Sequence, residues 1–450
     1  MAEPNAKSAA SASPTAPKVA ASAACSLEAP ATSNKLALTW DLIAAKGVAG
    51  WVADLSADED GVFAAGADSS SRTGAQSFVA SYDREGHERF RVSLDKTAIS
   101  GLKPPRASAF SVAAAGHGAV YALTLAANAP ALASLHLSLL EATGRERFSV
   151  PLELSTQVGA RVIADTLGDA FVIGLAPSGE LTLAKYASTG ARAWLKRYPY
   201  QGDLPWLALA GDHLALAASL HGFAEFGAKR LSLLDTFRYH CEDTTRECEA
   251  EARALLIAEL DGDGNAVQSA LLGSASNSVS VSGFAALPDG RLVVTGEFSG
   301  PALAMGNVTL CELQPGMPAR ESAVFREGNN AAAHACDCRG DQRDLFVLEL
   351  SRSGLPLWAK TLALGQAQPR IAASADGSII WAAQTATDSA ELAASAKSSA
   401  LAWWQLDANG LVRQRQSAER ALRLMTVAAD GGAYISDGRN LQRILSNIVK

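Results

Sequence analysis

The sequence predicts an all-β fold, a seven-bladed β-propeller made of four-stranded antiparallel blades, on three observations. Short apolar runs alternate with polar residues along most of the chain, which is typical of β-strands. One glycine turn recurs with an apolar residue four positions before it and a long or aromatic residue four positions after it. A second turn, of the Asp-Gly type, recurs between these glycine turns. Repetition of one four-stranded unit indicates blades arranged around an axis.

The glycine turn joins the third and fourth strands of each predicted blade. In residues 344–360, DLFVLELSRSGLPLWAK, the three positions are Leu350, Gly354 and Trp358. Glycine provides the positive φ that tight hairpin turns require. The same spacing occurs five more times, at Tyr82, Gly86 and Phe90; Leu140, Gly144 and Phe148; Tyr186, Gly190 and Trp194; Leu260, Gly264 and Gln268; and Leu406, Gly410 and Gln414.

The Asp-Gly-type turn joins the first and second strands. It occurs seven times, at residues 60–61, 117–118, 168–169, 211–212, 289–290, 376–377 and 430–431. Because the chain has seven Asp-Gly-type turns but only six glycine turns, the last predicted blade lacks its fourth strand. Residues 36–42, LALTWDL, resemble a fourth strand. We therefore expect the N-terminal strand to complete the last blade, because closure of the ring covers two open sheet edges.

Two other architectures explain the pattern less well. An α/β enzyme needs helices of 10–15 residues between strands, and only RECEAEARALLIAEL, residues 246–260, suggests one. Two β-sandwiches would not keep the same turn order in register seven times.

Composition divides the chain into an Ala/Ser/Pro-rich tether, residues 1–34, and one propeller domain, residues 35–450. The tether has too few large apolar groups to offset the chain entropy of folding, so we expect it to be disordered. Turn-to-turn distances place long insertions between second and third strands at about 220–255 and 300–343, in blades 4 and 5. In a propeller these connections emerge on one side, which we call the insertion-bearing face.

Charge and hydropathy exclude two classes of partner. The net charge of −7 and the pI near 5.6 argue against nucleic acid, whose phosphates need a basic surface. No run of 18 apolar residues occurs, so no transmembrane segment is predicted. Ala23-Ala24-Cys25 resembles a lipoprotein cleavage site, but residues 1–22 lack a basic start and an apolar core. A lipid anchor at Cys25 is therefore the alternative to a plain linker cysteine.

Five of the six cysteines fall in the predicted insertions. The first explanation is that disulfides pin these long loops in an oxidising compartment. The candidates are a local pair, Cys241 and Cys248, and a bridge from Cys311 to Cys336 or Cys338. The second explanation is a zinc site, although the spacing matches no standard Cys-x-x-Cys pair. Its ligands would come from His240, Cys241, Cys248, His334, Cys336 and Cys338. The third explanation is that these cysteines are free thiols.

No catalytic residue and no cofactor is predicted, because neither a G-x-S-x-G elbow nor a G-x-G-x-x-G loop is found in a suitable context. The segment LDGDGN, which contains Asp261, resembles the start of a calcium loop, but the Gly and the Glu that such a loop needs at later positions are absent. The segment therefore predicts an ordinary turn. His221 follows a second strand on the insertion-bearing face and is a candidate contact. Trp403 and Trp404 lie on opposite faces of one strand, so we expect one in the core and one exposed.

Residues 290–300, GRLVVTGEFSG, followed by Met305-Gly306 and by DLFVLELSRSGLPLWAKTLALG, residues 344–365, resemble the bacterial β-propeller repeat family called SBBP. Its repeat has a G-x-V-x-V-T-G-x-F-x-G strand, a Phe-Gly pair, and then D-x-F-V-A-K-L before a turn and a Trp strand. The resemblance is clear in blade 5 and partial in blade 4, at residues 222–231. The resemblance implies a secreted or surface propeller of unknown or binding function, and it implies no catalytic residues.

The leading functional hypothesis is a non-enzymatic, extracytoplasmic binding or scaffold protein. It would engage a protein, peptide or glycan through the insertion-bearing face of blades 4 and 5. The alternative is a propeller enzyme, a hydrolase or quinoprotein-like oxidoreductase, with a site in the central channel. That alternative predicts a convergent polar cluster with perturbed protonation in the channel. A structural component of a surface assembly, the third hypothesis, predicts a broad apolar patch instead.

Overall fold

A computed structural model gives the fold of this chain. It describes residues 38–43, 50–70, 74–94, 111–127, 133–154, 159–176, 178–233, 236–240, 247–273, 277–299, 302–305, 308–311, 325–326, 343–362, 368–385, 400–418, 422–428, 432–437 and 440–444. These residues form strands and turns and include no helix, so the predicted all-β class is confirmed. They also include no segment with the length and hydrophobicity of a membrane-spanning helix. Cys25 and the predicted tether lie outside the described residues.

In chain order, the strands are β1 (Leu38–Ile43), β2 (Trp51–Ala57), β3 (Gly61–Ser70), β4 (Gly74–Asp83), β5 (Glu88–Ser93), β6 (Ser111–Gly116), β7 (Ala119–Ala127), β8 (Ala133–Leu140), β9 (Glu146–Pro151), β10 (Gly159–Ala164), β11 (Ala170–Leu175), β12 (Glu180–Tyr186), β13 (Arg192–Gly202), β14 (Trp206–Ala210), β15 (His213–Phe226), β16 (Lys229–Ser232), β17 (Thr236–His240), β18 (Glu247–Glu251), β19 (Ala254–Leu260), β20 (Ala266–Leu272), β21 (Ser278–Ala286), β22 (Leu292–Ser299), β23 (Ala302–Met305), β24 (Val308–Cys311), β25 (Phe325–Arg326), β26 (Arg343–Leu350), β27 (Pro356–Leu362), β28 (Arg370–Ala373), β29 (Ile379–Thr385), β30 (Ala400–Leu406), β31 (Val412–Ala418), β32 (Leu424–Val427), β33 (Ala433–Ser436) and β34 (Asn440–Ile444).

Most of these strands form antiparallel sheets of four strands, and in three of the sheets the strands are consecutive in the chain. Such sheets are β2–β5, β6–β9, β21 with β22, β26 and β27, β28–β31, and β32–β34 with β1. The pairing of β1 with β34, Leu38 opposite Ile444, is the pairing that the sequence predicts for the N-terminal strand. It covers the edge of β34 that would otherwise have free backbone groups.

One larger sheet departs from the pattern of separate four-stranded units. The strands β10–β13 and the group β14, β15, β19 and β20 belong to the same sheet, which also includes β16. The connection is the pairing of β13 with β15, where Tyr200 lies opposite Ala224 and Gly202 opposite Leu220. Both strands are long, with 11 and 14 residues, so their extensions reach each other.

The first strands of successive units form a closed circle. Each contacts the next in the order β2, β6, β10, β14, β21, β28 and β32, and β32 contacts β2 again. Hydrophobic clusters fill the space between neighbouring sheets, as where Phe171 and Leu183 lie with Leu216 and Leu256. This circular arrangement of sheets around an axis is a β-propeller.

The repeated glycine and aromatic positions meet between neighbouring sheets. The fourth-strand aromatic of one unit lies against the turn glycine of the next, where a Cβ would come within 2.7–3.0 Å of the ring. The pairs are Phe90 with Gly144, Phe148 with Gly190, Trp194 with Gly264, and Trp358 with Gly410. The spacing of glycine and aromatic residues in the sequence therefore reflects a contact between neighbouring units as well as a turn.

The expectation that one of Trp403 and Trp404 is exposed is wrong. Both side chains are only 3% exposed. Trp404 lies beside Trp381, with ring centroids 5.0 Å apart, whereas Trp403 joins a cluster with Ile435 of the next sheet. Each sheet is covered on both faces by its neighbours, so alternation along a strand does not separate core from surface here.

Candidate functional site

A cavity of about 430 Å³ lies at the centre of the circle of first strands. All the strands of that circle, β2, β6, β10, β14, β21, β28 and β32, contribute to its lining. The lining contains three charged side chains, those of Asp54, Arg161 and Arg370. They face one channel although they are far apart in sequence, and this channel is the candidate site.

The charged residues occupy equivalent positions in their strands. The turns that follow these strands are closed by the backbone N–H groups of Asp165 and Ser374. Arg161 lies four residues before Asp165, and Arg370 lies four residues before Ser374. Asp54 stands four residues before Asp58 in the same way. Equivalent positions in neighbouring first strands lie at the same height along the axis. The charged side chains, together with Ser111 and Trp206 at the corresponding positions, therefore form one level of the channel, which we call the polar layer.

Asp54 is held by hydrogen bonds from two strands. Its Oδ2 accepts a hydrogen bond from the Ser111 hydroxyl at 2.7 Å and from the N–H of Val112 at 3.0 Å. Its Oδ1 accepts one from the N–H of Leu55 at 2.9 Å. Burial nevertheless raises the pKa of Asp54, against these hydrogen bonds and the charge of Arg161.

Arg370 is fixed on one side by backbone carbonyl groups. Its Nε donates to the carbonyl oxygen of Arg423 at 2.8 Å, and its Nη1 donates to that of Ser282 at 2.5 Å. Its guanidinium carbon lies 5.8 Å from the centre of the Trp206 ring. Burial lowers the pKa of Arg370 to about 10, although the carboxylate of Asp54 acts in the opposite direction.

Arg161 is less completely engaged. Its guanidinium carbon lies 3.6 Å from the centre of the Trp206 ring, a close cation–π contact. Its Nε is buried and has no hydrogen-bond partner among the described residues. Burial lowers its pKa to about 10, and the neighbouring charge of Arg370 acts in the same direction. A buried donor without an acceptor is a point at which a ligand atom would be stabilised.

The two ends of the channel differ in polarity. Ser111, Trp206 and Arg370 begin their strands, so the polar layer lies toward the end where first strands start. That end carries the connections between units and those from second to third strands, so it belongs to the insertion-bearing face. The opposite end is lined by the last residues of first strands, among them Ala57, Ala164 and Val427. The channel therefore has a cationic level near one mouth, and the side chains of the remainder are mainly apolar, with Ser56 and Thr426 as exceptions.

The structure places the predicted insertion residues only in part. Cys241, His334, Cys336 and Cys338 lie outside the described residues. For the others only strand positions are described: His240 lies opposite Glu247 and Cys248 opposite Tyr239 in the β17–β18 hairpin, and Cys311 lies opposite Ala302 in β24. The disulfides and the zinc site therefore stay predictions. In the part of the chain that the structure describes, no group of His, Cys, Asp and Glu side chains could hold a metal.

Two other candidates are within the described residues. Asp261 Oδ1 accepts hydrogen bonds from the N–H groups of Asp263 and Asn265 at 3.0 and 2.7 Å, as an ordinary turn requires. His221 Nδ1 lies 3.3 Å from a carboxylate oxygen of Glu251, at the end of β18, on the insertion-bearing face. Neither residue lines the channel.

The polar layer is not among the sites that the sequence predicts. The signal that could have revealed it is an alignment of the first strands on their turns, which places Asp54, Ser111, Arg161, Trp206 and Arg370 in one column. In a propeller, that column is one level of the channel. Charged residues there stand out, because the first strands are otherwise rich in Ala, Leu and Val.

No protein-family model and no curated protein matches this chain. Solved structures resemble it at low identity. BamB from Moraxella catarrhalis is 14% identical, with 91% of this chain and 100% of that chain covered and a TM-score of 0.42. The β-propeller domain of the Trilobed protease from Pyrococcus furiosus is 6% identical, with 89% and 99% covered and a TM-score of 0.44. The GH93 α-L-arabinofuranosidase of Fusarium graminearum is 9% identical, with 77% and 94% covered and a TM-score of 0.44.

Proposed function

We propose that this chain is a propeller of seven four-stranded blades and acts as a non-enzymatic, extracytoplasmic binding protein. It would engage a protein, peptide or glycan through the insertion-bearing face, including the channel mouth that opens there. The closed order of first strands and the pairing of β1 with β34 support the blade count. The resemblance to the SBBP repeat and the cysteine-rich insertions support the location outside the cytoplasm.

The observation that carries the binding role is the position of the polar layer near the insertion-bearing face. Asp54 already accepts hydrogen bonds from Ser111 and Val112, and Arg370 donates to two carbonyl groups. Side chains held in this way are suited to hold a ligand group in place.

The β15–β16 hairpin adds a contact surface on the same face. Arg230 lies over the ring of Phe223, with its guanidinium carbon 4.5 Å from the ring centre, and pairs with Glu225 at 2.9 Å. The hairpin is formed by the extension of β15 beyond the channel-forming part of the sheet. Aromatic and arginine side chains are the residue types that contribute most to binding surfaces.

One observation favours an enzyme as the second candidate. The polar layer is a convergent polar cluster in the channel, and the pKa of Asp54 is raised. A carboxyl group whose pKa is raised by burial can act as a general acid, as in glycoside hydrolysis. In this alternative Asp54 would protonate a leaving group, with Arg161 and Arg370 near the developing negative charge.

The binding role is tested with the full chain on arrays of peptides and glycans. We expect Arg230→Gln to weaken capture of the best ligand severalfold. Arg145→Gln is the matched control: Arg145 also pairs with a glutamate at 2.9 Å and is exposed, but it lies in a third-to-fourth-strand turn on the opposite face. We expect this control to leave capture unchanged.

Hydrogen exchange then locates the bound ligand, and mass spectrometry shows whether it is altered. Protection is expected at the starts of the first strands and in β15–β16. Protection confined to the turns of the opposite face would contradict the proposal. Recovery of an unchanged ligand agrees with binding, whereas steady conversion to a product would favour the enzyme.

A further inference from the structure

We propose that the polar layer is a binding site for a single carboxylate group whose apolar body lies in the channel. The site is formed by Arg161 and Arg370, with Trp206 as the aromatic surface and Asp54 as the internal counter-charge. This inference rests on the proposed binding function, and it specifies the chemistry of the ligand. A fatty acid or the terminal carboxylate of an apolar peptide would each present the same group.

The charges of the layer favour a singly charged anion. Two guanidinium groups face one carboxylate, so the layer has one positive charge that is not balanced among its lining residues. Burial disfavours every charged group there, as the lowered pKa values of both arginines indicate. One carboxylate would balance the charge. A phosphate dianion would bring excess negative charge close to Asp54, which is unfavourable in a partly desolvated channel.

The arrangement of donors suits a planar acceptor. Arginine has five N–H donors in a rigid plane, and two of those of Arg370 are used by the carbonyl groups of Ser282 and Arg423. Contact with Trp206 holds the guanidinium of Arg161 in a defined position, and its buried Nε has no hydrogen-bond partner in the described part of the chain. Guanidinium groups bind carboxylates through two parallel hydrogen bonds, which gives geometric selectivity.

The remainder of the channel suits an apolar body. Beyond the polar layer the lining includes Ile163, Ala372 and Met425, with Thr426 and Ser56 as its polar side chains. The hydroxyl oxygen of Ser56, also in the lining, already accepts a hydrogen bond from the N–H of Ala114 at 2.9 Å. A volume of about 430 Å³ is within the range of small-ligand sites. An amphiphilic monocarboxylate would place its charged and apolar parts against matching surfaces.

The test measures binding of hexanoate to the full chain by calorimetry and ligand-detected NMR. We expect wild type to bind hexanoate at least tenfold more tightly than hexanol or inorganic phosphate. Arg161→Met should weaken hexanoate binding at least tenfold, and Arg161→Lys, which keeps the charge, should weaken it less. The control Arg145→Gln should leave binding unchanged. Absence of hexanoate binding to wild type, tighter binding of phosphate, or equal binding by Arg161→Met would each overturn the inference.

A second variant keeps the test decisive if Arg161→Met does not fold. Asp54→Asn removes the internal negative charge while its side-chain oxygen can still accept hydrogen bonds from Ser111 and Val112. We expect this variant to bind hexanoate at least threefold more tightly. Unchanged or weaker binding by a folded Asp54→Asn protein would contradict a carboxylate site in this layer.

The two proposals fail in different ways. If hexanoate binds as expected but no array ligand is captured at the insertion-bearing face, the proposed function fails and the carboxylate site stands. If an array ligand is captured with the expected loss in Arg230→Gln but hexanoate does not bind, only the carboxylate site fails.

Discussion

Replacing Gly410 with alanine is expected to lower the free energy of unfolding by about 3 kcal/mol, whereas the same change at Gly377 should lower it by about 1 kcal/mol. Both glycines have positive φ, 74° and 82°, so both alanines carry backbone strain. They differ in their surroundings. A Cβ at Gly410 would lie 2.7 Å from Cδ2 of Trp358, while one at Gly377 would meet nothing within 4 Å. The difference between the two variants therefore measures the contact between neighbouring sheets.

Urea unfolding of both variants checks this prediction, with Trp358→Leu as the partner in a double-mutant cycle. Leucine is smaller than tryptophan, so it should make room for the new methyl group and reduce the cost of Gly410→Ala toward that of Gly377→Ala. Equal losses in the two single variants, or no coupling to Trp358, would show that the spacing of glycine and aromatic residues reflects turn geometry alone.

Stability should also fall as the pH rises from about 4.5 to 7, by roughly 3 kcal/mol through Glu349 alone. The Glu349 side chain is fully buried and pairs with Arg291 of the same sheet. Burial raises the pKa of Glu349 from 4.5 to about 7, although Arg291 acts in the opposite direction. The folded state therefore holds the proton more tightly than the unfolded state. The stabilisation is complete below the unfolded pKa and is lost as the pH rises through the folded pKa.

The measurement compares wild type with Glu349→Gln by urea unfolding between pH 4.5 and 8. Glutamine keeps an acceptor for Arg291 but does not titrate, so the difference in stability between the two proteins isolates Glu349. We expect wild type to lose stability relative to Glu349→Gln as the pH rises. The carboxyl group of Asp376 has a lowered pKa, because hydrogen bonds from Ser378 outweigh burial, and it contributes with the opposite sign but equally in both proteins. A difference that is constant with pH would contradict the prediction.

The strands could be predicted from the sequence because their signals are local. Gly354 and Gly410 mark turns in which each glycine N–H bonds to the carbonyl three residues earlier, those of Ser351 and Asp407. The pairing of the N-terminal strand followed from counting turns. The sheet that joins β13 to β15 could not be counted in this way, because it depends on how far two long strands extend past their own units.

The burial of individual side chains could not be predicted from the local sequence pattern. Alternation predicts that Trp403 and Trp404 have different environments, and both are buried. The reason is that a sheet in a propeller has a neighbour on each face, so the polar residue of an alternating pair is not reliably at the surface. The same packing explains why Glu349 and Asp344 are buried in strands that the sequence presents as ordinary.

The amino-acid sequence alone determined where the chain turns, because glycine at positive φ and apolar alternation act over a few residues. Only the closed circle of first strands decided which side chains share the channel. Asp54, Arg161 and Arg370 are more than 100 residues apart from one another in the chain, and no local pattern relates them. Their proximity, and the shifted pKa values that follow from shared burial, exist only once the sheets surround a common axis.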